Sequence, residues 1–131
     1  MAITISIALQ KGGTGKTSTS LALASELGLR KKKVLLCDLD AQANSTYSSG
    51  YTTDQLEYSL HNVLTEDTEY HCDIEQAILP CKYYDLLPAD NAVNDLTLEL
   101  KDFYVLKNVL QTIQNKYDFI ILDCPPAISM V

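Results

Sequence analysis

The stretch LQKGGTGKTS, Leu9 to Ser18, sets two lysines, Lys11 and Lys16, five positions apart around a pair of glycines. A glycine-rich turn lets several backbone N–H groups converge on one anion, because glycine reaches the required conformations without steric penalty. A helix that starts at the turn adds its positive N-terminal end, and the combination cradles phosphate. In the pattern G-x-x-x-x-G-K-[ST], the lysine after the last glycine reaches the β/γ-phosphates and the next hydroxyl binds Mg²⁺. Gly15, Lys16 and Thr17 occupy those places, whereas the pattern's first glycine is replaced by Gln10 and followed by Lys11. The loop is a variant of the phosphate-binding motif.

The motif carries meaning only between a strand and a helix. Ahead of it, Ala2 to Leu9 is a short, β-branched apolar run, which predicts a buried parallel strand. Behind it, KTSTSLALASELGLRKKK (Lys16 to Lys33) is rich in Ala and Leu and free of proline. Gly28, with Arg30, Lys31, Lys32 and Lys33 after it, suits a helix C-terminus.

A chain of 131 residues, 47% of them hydrophobic, predicts a single globular domain over residues 1–131. No run of eighteen apolar residues is present, and the N-terminus lacks a basic region before a long apolar stretch, so a cytoplasmic protein is expected, with no membrane contact. Cys37, Cys72, Cys81 and Cys124 show no C-x-x-C spacing and read as thiols. The net charge of −7 disfavours a broad surface for a phosphate backbone. The basic run Arg30–Lys33 reads first as a solvated helix end.

Further along, KVLLCDLD (Lys33 to Asp40) is a buried-strand pattern that ends in Asp38 and Asp40, at the strand end where ligands collect in open α/β sheets. Residues 41–55 are polar and read as a mobile loop, and two short helices are expected within SLHNVLTED and DIEQAIL. Tyr83 to Asp90 predicts a short strand closed by Pro88, followed by a long helix whose stripe of Val93, Leu96, Leu100, Phe103, Leu106, Val109, Leu110 and Ile113 reads as core packing. A last strand, Phe119 to Leu122, delivers Asp123. Strands alternating with helices predict right-handed crossovers and a doubly wound, mainly parallel α/β sheet of the P-loop NTPase type. Asp123 has the form of a Walker B aspartate, whose carboxylate supports Mg²⁺, although a carboxylate there can also cap the next turn.

Together, KGGTGKTS (Lys11 to Ser18), DLDAQANST (Asp38 to Thr46) and YDFIILDCPP (Tyr117 to Pro126) closely resemble the ParA/Soj family of partition ATPases, in the deviant-Walker group that also holds the MinD regulators. The resemblance spans the chain, including LLPAD (Leu86 to Asp90). It implies an ATP- and Mg²⁺-dependent ATPase acting in plasmid or chromosome segregation. Residues Lys11, Gly12, Gly13, Thr14, Gly15, Lys16, Thr17 and Ser18 would hold the nucleotide. Lys11 would reach across an ATP-dependent homodimer to the partner's phosphates, while Lys16 serves its own. Thr17 and Asp123 would organise Mg²⁺, Asp38 would support the metal shell, and Asp40 would position the attacking water.

The implied partners are a centromere-binding ParB-like protein and nonspecific DNA, the latter through a C-terminal half that the family carries beyond the Walker B strand. The chain is accordingly expected to correspond to an N-terminal portion, with ITISIAL (Ile3 to Leu9) at an exposed sheet edge that the other half would cover. Ala41 stands where the family usually has proline. The competing expectations are a nucleotide-binding module without turnover and a MinD-like membrane-cycling regulator.

Overall fold

The computed structural model describes residues 1–8, 14–40, 42–89 and 100–124. Strand β1 (Ile3–Ile7) leads to helix α1 (Thr14–Leu29), strand β2 (Val34–Asp38) and the short helices α2 (Asn44–Ser48), α3 (Leu60–Leu64) and α4 (Ile74–Ala77). A two-residue strand β3 (Leu79–Pro80), strand β4 (Asp85–Leu87), helix α5 (Leu100–Gln111) and strand β5 (Phe119–Asp123) complete the described chain. The sheet order is β1-β5-β2-β4-β3, parallel except for the β3–β4 pair. This is the expected parallel α/β sheet, and β3 is an addition that two residues without alternation could not signal.

Every residue of β2 is buried, the consequence of a central parallel strand covered on both faces. Its side chains alternate between two cores. Leu35 and Cys37, with Ile120 and Leu87, join Leu60, Val63, Ile74, Leu106, Leu110 and Ile113 from α3, α4 and the α5 region. Val34 and Leu36, with Ile121 and Leu86, pack against Ala24 and the partly buried Leu21, Leu23 and Leu27 of α1. Helices therefore cover both faces, and the described part of the α5 stripe is core, as its spacing predicts. Residues 91–99 of that segment lie outside the described residues.

Two local readings change. Gly28 does not end α1. It sits within the helix, where a Cβ would lie 1.9 Å from the Tyr83 carbonyl oxygen, so the glycine allows the helix to approach the chain after β3. The terminating left-handed residue is Lys31, at φ 65°. Its N–H donates to the Gly28 carbonyl and that of Lys32 to the Leu27 carbonyl, which is a Schellman closure without glycine. The segment read as a mobile loop contains α2 and a 3₁₀ turn at Thr53–Gln55, and Ser45 and Thr46 are fully buried. Polar composition concealed this, because the burial is driven by hydrogen bonds to a carboxylate.

Among the described strands β1 lies at the edge, with Ile3 58% exposed. The Ile3 N–H donates to the Asp118 carbonyl, and the Ile7 carbonyl accepts from the Cys124 N–H. Alternation then directs the backbone groups of Thr4 and Ser6 away from β5.

Candidate nucleotide site

Register brings three strand ends to one level: Ile7 opposes Asp123, and Asp123 opposes Asp38. Strand β1 therefore ends beside two carboxylates at the carboxyl ends of parallel strands, the position where open α/β sheets bind ligands. Lys11, Gly12 and Gly13 lie outside the described residues. Thr14, Gly15 and Lys16 are described as the backbone that opens α1. Thr17 is half-buried and Ser18 exposed in the same stretch of helix.

Asp38 is fully buried and organises the loop that follows it. Its Oδ1 accepts the Asp40 N–H at 3.1 Å, and its Oδ2 accepts the Thr46 N–H at 2.9 Å and the Thr46 hydroxyl at 2.7 Å. Thr46 Oγ1 in turn accepts the Ala89 N–H at 3.1 Å, so one side chain ties the exits of β2 and β4 together. Burial pushes the Asp38 carboxyl up to about 6, with the Asp123 charge adding to the rise and the Thr46 and Asp40 hydrogen bonds opposing it. A buried pair of carboxylates at the end of a sheet is a place where a cation is favourable.

Asp40 is 9% exposed, and its Oδ1 accepts the Gln42 N–H at 3.0 Å while its carbonyl accepts the Ala43 N–H at 2.8 Å. The turn holds Asp40 in place. Asp123 is fully buried and accepts a hydrogen bond from the Ser45 hydroxyl. Ser45 and Thr46 were not singled out by sequence. The only signal available is a Ser-Thr pair seven and eight residues past a strand-end aspartate, which polar loops supply often.

The cysteines are free thiols. Burial, then the charge of Asp38 and then Cys124, pushes the Cys37 thiol far above its ordinary range, which keeps it protonated and unreactive. No helix among the described residues is long and apolar enough to cross a membrane.

The AAA_31 family model, described as an AAA domain, matches residues 2–131. The chain is 34% identical over 131 residues to the sporulation initiation inhibitor protein Soj of Bacillus subtilis, covering 97% of this chain and 51% of Soj. It is 30% identical to the chromosome partitioning protein ParA of Myxococcus xanthus, covering 97% of this chain and 46% of that protein. Among solved structures, the cobyrinic acid a,c-diamide synthase of Mycobacterium smegmatis, with a bound ATP analogue and magnesium, aligns with TM-score 0.85 at 32% identity over 96% of this chain and 52% of that one. The chain thus spans about half the length of the curated relatives it matches.

Proposed function

Because the chain belongs to the AAA_31 family and is of ParA/Soj type, we propose that it binds ATP with Mg²⁺ in the cytoplasm and contributes to an ATP-driven partition switch. The observation that carries the reading is the buried Asp38–Asp123 pair, set level with the end of the strand that enters the glycine-rich loop. Mg²⁺ would supply charge neutralisation of the β- and γ-phosphate oxygens.

On this reading Lys16 and the loop N–H groups bind the phosphates, and Thr17 and Asp123 hold the metal. Ser45 orients Asp123 through its hydroxyl. Asp38 supports the metal shell through the scaffold it fixes, since its oxygens already accept from Asp40 and Thr46. Asp40, held by its turn, positions the attacking water. Lys11 serves the nucleotide of a second copy in an ATP-dependent homodimer. A ParB-like partner and nonspecific DNA act on the complete protein.

The test is single-turnover hydrolysis of labelled ATP by the chain and its Asp40→Ala and Lys11→Ala variants, with binding measured in parallel. Binding retained in all three, with turnover confined to wild type, is the expected result. Turnover undiminished in both variants would remove the roles of Asp40 and Lys11. Binding without turnover in wild type would favour a nucleotide-binding module, a reading consistent with a chain that spans half of its relatives.

A further inference from the structure

At the opposite end of the sheet, where β2 and β4 begin, a cavity of about 370 Å³ is lined by Lys32, Lys33, Lys82 and Lys116 together with Tyr83, Tyr117 and one carboxylate, Asp85. Four of the chain's ten lysines and arginines thus line one concavity, in a protein with 17 acidic residues. The acidic groups nearby are engaged. Asp85 accepts the Tyr117 hydroxyl at 2.8 Å, Asp118 accepts the Lys33 N–H at 2.8 Å, and Glu75 pairs with Lys116 at 3.0 Å. The Lys82 ammonium lies 5.2 Å from the centroid of the Tyr83 ring. Among the described residues, Lys32, Lys33 and Lys82 have no carboxylate within ion-pair distance.

A solvated helix end would spread such charges over a convex surface. Here the backbone that carries them is fixed around a hollow. The Lys33 carbonyl accepts the Asp118 N–H at 2.7 Å, the Cys81 N–H donates to the Tyr84 carbonyl at 2.9 Å, and the Tyr84 hydroxyl meets that of Ser49 at 2.6 Å. The like charges of Lys32, Lys33 and Lys82, which pair with no carboxylate among the described residues, are relieved by a multiply charged anion, and lysine serves phosphate as a point charge. The volume falls within the range of small-molecule sites.

We infer that this lysine–tyrosine pocket binds a phosphate-bearing ligand, separately from the site at the strands' carboxyl ends. The shared chemistry is a run of phosphate oxyanions, either on a small soluble polyphosphate or along a nucleic-acid strand. The test follows backbone amide resonances of the whole chain at low salt during titration with inorganic tripolyphosphate, with a twelve-nucleotide DNA strand and with poly-glutamate of matched charge. Saturable shifts at Lys82, Tyr83 and Tyr84 are expected, weakened about tenfold by the double variant Lys32→Gln/Lys82→Gln, whose lost charges act over a few ångströms in water. The Lys16→Ala variant should leave these shifts unchanged, which separates the pocket from the nucleotide site. Saturation by tripolyphosphate alone identifies a soluble ligand, and tighter saturation by the DNA strand identifies nucleic acid. Absence of saturable shifts, full affinity in a folded double variant, or equal binding of poly-glutamate would overturn the inference.

Discussion

Asp38 and Asp123 are register partners on adjacent parallel strands, and both are fully buried. Such a pair is unfavourable without compensation. The compensation comes from α2, where Thr46 serves Asp38 through two donors and Ser45 serves Asp123. The five-residue helix in a polar stretch thus holds together the carboxyl ends of β2 and β5.

Thr46→Val tests that arrangement. Valine keeps the volume but removes the hydroxyl that donates to Asp38 and accepts from Ala89. A buried N–H is then unsatisfied and a charged acceptor loses a partner, at a cost of about 2–3 kcal/mol. Urea denaturation should show a lower midpoint at unchanged slope. An unaltered midpoint would mean that Thr46 does not support the carboxylate.

Gly28→Ala separates two opposed effects. Alanine improves helix propensity by about 1 kcal/mol. Its Cβ would meet the Tyr83 carbonyl oxygen, a backbone atom that cannot rotate away, so α1 must shift. We expect a net loss of about 1–3 kcal/mol by the same denaturation measurement. A stabilised variant would show that the close approach is not required.

Cys81 gives a pH dependence. Burial, followed by the charge of Asp85, pushes its thiol up to about 11 from 9.0. Because the thiolate is the reactive form, a raised value lowers reactivity at pH 8 by about a hundredfold relative to the same thiol in the unfolded chain. Alkylation by iodoacetamide, located by mass spectrometry, should accelerate tenfold per pH unit up to about pH 11. A rate at pH 8 equal to that in urea would contradict the burial.

The sheet edge makes a prediction about assembly. Thr4 and Ser6 direct backbone groups outward from an apolar strand, and such an edge templates strand addition. Light scattering should report species heavier than 14.5 kDa at high concentration. Thr4→Pro removes an outward N–H while leaving the bonds of Ile3 and Ile7 to the β5 side, so it should restore the monomer with unchanged circular dichroism. A wild-type chain that is monomeric at every concentration would contradict this expectation.

What the sequence made legible was contiguous. The apolar runs before Asp38 and Asp123 announce strands and place their carboxylates at strand ends, and the glycine-rich loop lies between β1 and α1 as its context requires. What it hid was contact across the fold. Nothing local marks Ser45 and Thr46 as partners of the two aspartates, because the pairing joins β2, α2 and β5 and has no period. Gly28 was legible as special but not as a point of helix approach, since its neighbour Tyr83 is fifty-five residues away. Lys32 and Lys33 of the basic run gained a concave setting only when folding set Lys82 and Lys116 beside them.

On the proposed reading the glycine-rich loop is an ATP site served by Lys16. The most direct measurement is an equilibrium titration of the chain and its Lys16→Ala variant with a fluorescent ATP analogue, with and without Mg²⁺. Saturable binding by wild type that tightens with Mg²⁺, weakened at least about a hundredfold, or about 2.7 kcal/mol, by the substitution, is the expected result. Equal affinity of the two proteins would contradict the claim.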